Sequence, residues 1–242
     1  MLTIGARQVS YREMVGGVLE RFNEAERVTI EDFGEDLAEH EPSITDRLLG
    51  SIRMAVNGYT EHGVVWRAKT FTSQGHGAQE TRIGADFAGV LNVDIRGVKL
   101  STGFLAQAKR IEPGQALSPK EWERFRRQCG FMLRITPAAY AFLYSKKGIS
   151  IVPAVAVATS ARESLYSLVH MPYAHFFRDH LASFLGDHRL VEPTISAVER
   201  LTEPMEDAAS GLMRDQVAEK VIAVKAEKVS KDEGSGGPPG ET

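Results

Sequence analysis

Glu80-Thr-Arg-Ile-Gly-Ala-Asp86-Phe-Ala-Gly-Val-Leu-Asn-Val-Asp94 and, soon after it, Gly103-Phe-Leu-Ala-Gln107-Ala-Lys109-Arg110 are the stretches on which the fold turns. Both read as strands, at about 85–95 and 100–109, with Gly97 marking the turn between them. Strand side chains alternate between faces, so Gln107 and Lys109 share one face while Ala106 and Ala108 share the other. Phe104 and Leu105 start the second strand apolar, and a long polar pair closes it. Two such groups at the end of a buried strand are costly unless they serve a site or find partners. Asp86 opens the first strand behind the small pair Gly84-Ala85, where a bulky residue would crowd the approach.

Working outward, an apolar run predicts a further strand over 64–71. Before it, Pro42 and Ser43-Ile-Thr-Asp46 carry a helix-start signal. The helix behind that signal puts Ile44, Leu48, Leu49 and Ile52 on an apolar face, and Asn57-Gly58 ends it. Residues 6–26 also read as a helix, with Val9, Met14, Val18, Leu19 and Phe22 near one face and Gly16-Gly17 weakening the middle. A short acidic helix is expected over 31–39. Downstream, Ser118 caps a helix carrying Trp122, Phe125, Cys129, Met132 and Leu133. Two apolar runs, 139–144 and 149–157, are joined by Ser145-Lys-Lys-Gly148 and read as a hairpin. From 160 the pattern is helical, broken by Pro172, Pro193 and Pro204, and a final helix is expected over 206–228. Residues 229–242 hold Gly, Pro, Ser and charge with almost nothing apolar, the composition of a disordered tail.

The order is helix, three strands, helix, two strands. It predicts an α/β fold with a central mixed sheet flanked by helices and extra C-terminal helices. The expected division is an N-terminal helical segment 1–41, an α/β core 42–157, a C-terminal helical region 158–228 and the tail.

Composition narrows the function. Of 242 residues, 43% are hydrophobic and 25% charged, enough for a real core. No uninterrupted apolar run reaches ~18 residues, so no membrane partner is expected. The start, MLTIGARQVSYREM, lacks a secretory pattern, and a cytoplasmic location is the expectation. A single cysteine, Cys129, rules out an internal disulfide and any multi-cysteine metal site. The net charge is −3, but it is unevenly spread. Residues 1–46 carry four Arg against eleven Asp or Glu, whereas 109–134 carry seven Lys or Arg against three Glu. That asymmetry permits a local nucleic-acid surface; its plain alternative is a solvated helix face.

A carboxylate, an amide oxygen and an ammonium converging at the ends of adjacent strands suit phosphodiester hydrolysis. Oxygen ligands hold a hard divalent cation. The cation polarises the phosphoryl oxygen and lowers the pKa of a bound water. A lysine stabilises charge developing on the phosphorane. The backbone carbonyl of Ala108, between the two polar side chains, is a further candidate ligand.

In these residues the chain resembles the PD-(D/E)XK nuclease superfamily, the restriction-endonuclease-like fold. That family places an Asp on one strand and a (D/E)-x-K triplet on the next. Mrr-like restriction enzymes carry Gln in place of the first acid, and Asp86 with Gln107-Ala-Lys109 looks like that variant. The resemblance covers about half the chain. It implies catalytic Asp86, Gln107, Lys109 and Glu41, the last from the helix before the sheet. It implies Mg²⁺ or Mn²⁺ held by Asp86, Glu41 and the Ala108 carbonyl, with Glu80 as a weaker candidate. It also implies DNA as substrate, with RNA left open, in prokaryotic restriction or anti-phage defence. A homodimer or a partner in a defence complex would fit. Arg110, Lys120, Arg124 and Arg127 are the candidate contacts to the nucleic-acid backbone.

Each residue has a plainer role open to it. Asp86 could pair with an arginine, Lys109-Arg110 could be a solvated strand end, and Glu41 could favour a helix N-terminus. The neutral Gln107 also leaves open a non-cleaving nucleic-acid-binding or scaffold subunit that keeps the fold, or a nuclease that needs an RNA or ligand activator. His170, His175 and His180 recur every five residues, a spacing that does not share a helix face. Gly75-His76-Gly77 is too short for a phosphate-cradling loop.

Overall fold

A computed structural model describes residues 10–72, 85–95, 98–161, 164–190 and 218–229. Ser10 caps α1 (Tyr11–Gly34), its hydroxyl accepting from the Glu13 amide while the Glu13 carboxylate accepts from the Ser10 amide. The helix continues through Gly16-Gly17, and at Gly17 it lies against Tyr59 and Glu61. A Cβ there would lie 2.1 Å from the Tyr59 hydroxyl and from Glu61. It also takes in the start of the expected acidic helix; the chain leaves it at Glu35 and turns through Asp36 at φ 60.

Helix α2 (Glu41–Val56) follows, with Ile44, Leu48, Leu49 and Ile52 buried as the pattern predicts. Next come β1 (Thr60–Glu61), β2 (Val64–Thr72), β3 (Ala85–Ile95) and β4 (Val98–Arg110). Helix α3 (Pro119–Ile135) starts at a Ser118–Glu121 capping box and buries Trp122, Phe125, Cys129 and Met132. The hairpin β5 (Ala139–Ser145) and β6 (Gly148–Pro153) is next, then α4 (Ala154–Thr159), β7 (Met171–Pro172), α5 (Tyr173–Leu181) and β8 (Ala218–Lys228).

Among the described residues the strands form one mixed sheet in the order β1-β2-β8-β3-β4-β5-β6-β7. β3 and β4 are antiparallel, and β5 lies parallel to β4 after the α3 crossover. Helices cover both faces. On one, α1, α2 and α5 bury Trp66, Phe87, Phe104, Phe142 and Phe176. On the other, α3 and α4 bury Leu105, Cys129, Met132 and Leu143. The α/β architecture read from the sequence is therefore present.

Two expectations are corrected. The run 149–157 is not one strand: β6 stops at Pro153 and the alanine-rich residues after it form α4. More important, 218–228 is not helical. It is β8, inserted between β2 and β3, antiparallel to the first and parallel to the second. Ala218-Glu-Lys-Val-Ile-Ala-Val-Lys-Ala-Glu-Lys reads as helix because Ala, Glu and Lys favour it. Two unpaired strand edges decide otherwise, and Ile222, Val224 and Ala226 sink into the core at a period of two. Gly97, Glu80, Gly75-His76-Gly77, residues 206–217 of the expected final helix and residues 230–242 lie outside the described residues.

Candidate active site

The β3–β4 ladder stops at Phe87 opposite Ala106. Strand β4 runs on to Arg110 against β5 alone. Its N–H groups on the β5 side pair with that strand's neighbourhood, Leu105 to the Ala138 carbonyl and Ile111 to the Tyr144 carbonyl. The opposite edge has lost its strand, and carboxylates take the place of the ladder. The Ala108 amide donates to Asp86 Oδ2 at 2.7 Å. The Arg110 amide donates to Glu41 Oε2 at 2.9 Å. Amides two residues apart on a strand lie about 7 Å apart, so Asp86 and Glu41 are lined up on one edge. Sequence reading pairs Asp86 with this strand; the edge geometry shows how Glu41, on α2, joins it.

Gln107 is only 4% exposed. Its Nε2 donates to Asp86 Oδ2 at 2.6 Å and lies 3.4 Å from the Ala108 carbonyl. That orients the amide and leaves Oε1 buried with no hydrogen-bond partner. A buried carbonyl oxygen left unpaired carries a desolvation penalty of about 1–3 kcal/mol. The orphaned oxygen and the carboxylate are ligands of the kind a hard cation takes, once the amide turns to present Oε1 where Nε2 faces Asp86 and the Ala108 carbonyl. The donors nearest such an ion would be Asp86, Gln107 Oε1 and the Ala108 carbonyl; Glu41, whose Oε2 takes the Arg110 amide further along the edge, would reach it with its other oxygen. Among the described residues, no three Asp, Glu, His or Cys side chains gather as a ligand set, so the site has fewer acids than a typical cation site.

Lys109 stands between two acids, its Nζ 3.8 Å from Glu41 Oε2 and 3.9 Å from Glu121 Oε1. Both contacts are longer than a direct hydrogen bond. Burial pushes the Glu41 carboxyl above its ordinary range, while the Arg110 amide, Lys109 and Arg124 pull it back. Glu121 is held below the usual range chiefly by the Ser118 hydroxyl it caps, with the Ser118 amide and Lys109 adding to this. Its place beside Lys109 is hidden in the sequence, where Glu121 counts only as one of three acids among the basic residues of 109–134.

Behind the acids, Thr45 Oγ1 lies 3.1 Å from the Tyr144 hydroxyl. The charges of Asp86, Glu41 and Asp46 all reach that fully buried phenol. Asp46 in turn meets Lys220 of β8 at 2.7 Å. Sequence reading gives none of these four a part in the site; Thr45 and Asp46 enter that reading only as part of the helix-start signal. Tyr144 looks like one more apolar strand residue, and Lys220 is far from Asp86 along the chain.

The basic candidates divide. Lys120, Arg124 and Arg127 are exposed on α3 at spacings of four and three, one stripe beside Lys109. Arg110 turns back instead, its guanidinium donating to the Glu39 carbonyl and lying over the Phe33 ring. Elsewhere, His180 is buried between the Phe104 and Phe176 rings, and burial pulls it down to about 4. Burial likewise raises the Cys129 thiol to about 12. Both belong to the core. No described helix is long and apolar enough to cross a membrane.

Compared with known proteins, the chain matches no family model, no curated protein and no solved structure.

Proposed function

We propose that this protein is a metal-dependent endonuclease of the restriction-endonuclease-like kind, hydrolysing phosphodiester bonds of DNA. The observation that carries the reading is the edge of β4: Asp86 and Glu41 on successive outward amides, Lys109 beside Glu41, and the Gln107 amide, with its orphaned oxygen, bonded to Asp86. A bound Mg²⁺ or Mn²⁺ would polarise a phosphoryl oxygen and lower the pKa of a water. Asp86 and Glu41, fixed by backbone N–H groups, hold their oxygens in place without reorganising. Lys109 turns from its two loose ion pairs toward the phosphate and stabilises charge that builds on the phosphorane. Lys120, Arg124 and Arg127 supply sequence-independent contacts to neighbouring phosphates. A role in prokaryotic restriction or anti-phage defence comes from the resemblance carried by Asp86 and Gln107-Ala-Lys109.

The test is incubation of the purified protein with supercoiled plasmid and with RNA, in Mg²⁺, Mn²⁺ or chelator. Metal-dependent plasmid nicking supports the reading, and nicking that persists in chelator overturns the metal mechanism. The thin acid set favours one competitor, a non-catalytic nucleic-acid-binding subunit that keeps the fold. Salt-sensitive DNA binding with no cleavage under any metal would select it.

A further inference from the structure

Helix α2 carries Glu41, Thr45 and Asp46 in its first two turns, and each makes a contact with a different strand. Glu41 takes the Arg110 amide of β4, Thr45 meets Tyr144 of β5, and Asp46 meets Lys220 of β8. β3, the strand of Asp86, lies between β4 and β8. The helix start is thus tied down on both sides of that strand, and Lys220 supplies the tie on the β8 side. Lys220 stands opposite Phe87 in the β3–β8 register, one residue along from Asp86. Its side chain is only 14% exposed, although Asp46 is 64% exposed. An exposed ion pair contributes little, but a lysine whose stem is packed along a sheet presents its ammonium in one place.

We propose that Lys220 is a positioning residue for the site: through Asp46 it holds the first turns of α2 against the sheet, and so sets Glu41 beside Asp86. The proposal rests on the reading of Asp86 and Glu41 as the working acids. Without the tie to Lys220, the first two turns of α2 would keep their polar contacts to β4 and β5 and the Arg47–Asp32 pair to α1, and lose the one on the β8 side of β3. Asp46 is five residues from Glu41, about 7.5 Å along the helix, so a small tilt at one is felt at the other.

The test uses the whole chain and the variants Lys220→Met, Lys220→Arg and Asp46→Asn. Methionine keeps the packed stem and removes the charge. Two readouts separate positioning from general stability. The first is hydrogen exchange of the Arg110 amide, which is bonded to Glu41, against that of Leu105, which is bonded to the Ala138 carbonyl on the same strand. The second is Mn²⁺ affinity by calorimetry. Lys220→Met and Asp46→Asn are expected to speed exchange at Arg110 about tenfold with Leu105 unchanged, and to weaken Mn²⁺ binding several-fold. Lys220→Arg should restore both. Unchanged exchange at Arg110 overturns the proposal, whatever the metal does. Equal acceleration at Arg110 and Leu105 also overturns it, since the lysine then serves only overall stability. If the wild type binds no Mn²⁺ while Arg110 alone loosens, the positioning role stands and the metal reading fails.

Discussion

At one end of β4, Lys99 faces Asp94 across the β3–β4 ladder; at the other, Lys109 stands between Glu41 and Glu121, beside Gln107 and Asp86. In sequence the two ends are alike, an aspartate on β3 and a lysine on β4. In space they differ in what converges on them. Lys99 and Asp94 are 82% and 67% exposed, and meet at 3.6 Å in solvent. Lys109 is 22% exposed, and the first turns of two helices press on it. A recess of about 230 Å³ lies at the Asp94 end, lined by Asn92, Asp94, Lys99, Ser101 and Lys225. Its charges are hydrated, so concavity there comes without the desolvation that sharpens electrostatics. What distinguishes a site here is an interrupted ladder with carboxylates substituted for a strand.

The contrast is tested most severely by the lysines. Lys109→Ala should lower the plasmid cleavage rate by on the order of 10²–10³, the scale of removing one charge stabiliser. Lys99→Ala should leave it within about twofold. Equal losses from both would show that the two ends are not functionally distinct.

The acids come next. Glu41→Gln should weaken Mn²⁺ binding by about tenfold or more in calorimetry, since glutamine keeps the size and loses the charge. Glu80→Gln should do less, and Asp94→Asn nothing measurable. A normal Glu41→Gln beside a dead Glu80→Gln would move the metal role to Glu80.

Glu26 sharpens the comparison by showing what burial alone does. Its carboxylate accepts the Ile149 amide at 2.9 Å, and burial raises its pKa more than that bond lowers it. A carboxyl with a raised folded pKa weakens the fold at neutral pH. The penalty fades as pH falls from the raised midpoint to the ordinary carboxylate range, where folded and unfolded chains are both protonated. Glu26→Gln should therefore stabilise at pH 7, lose that gain near pH 4, and leave cleavage unchanged. Thermal melts across pH read the first two. A drop in cleavage would mean that the interior behind α1 is coupled to the site.

The smallest effect is expected at the exposed pair. A double-mutant cycle on Asp94 and Lys99 should give a coupling under about 0.5 kcal/mol that salt erases. A coupling several times larger would remove the distinction between the ends.

Much of this was legible from local pattern. Ser118 as a helix cap, the apolar face of α2 and the strands 85–95 and 100–109 each carry their own signal, and the structure has those elements. The Asp86–Gln107 contact was legible because both sit on neighbouring strands joined by a short turn. What could not be read was long-range. The helix-favouring run 218–228 becomes a strand only because β2 and β3 offer edges to it. Lys220 and Tyr144 acquire meaning only once that sheet has closed.

The insertion of β8 also bears on how the protein comes to be folded on a ribosome. Val64 must wait for Lys228, and Thr72 for Lys220, before β2 has a neighbour on that side. Until then two apolar strands stand with bare hydrogen-bonding edges in a nascent chain, the condition that favours stray pairing. Pairings so far apart in sequence also place closure of the sheet late and make it slow. Synthesis therefore imposes a delay between making β3 and β4 and completing the sheet around them.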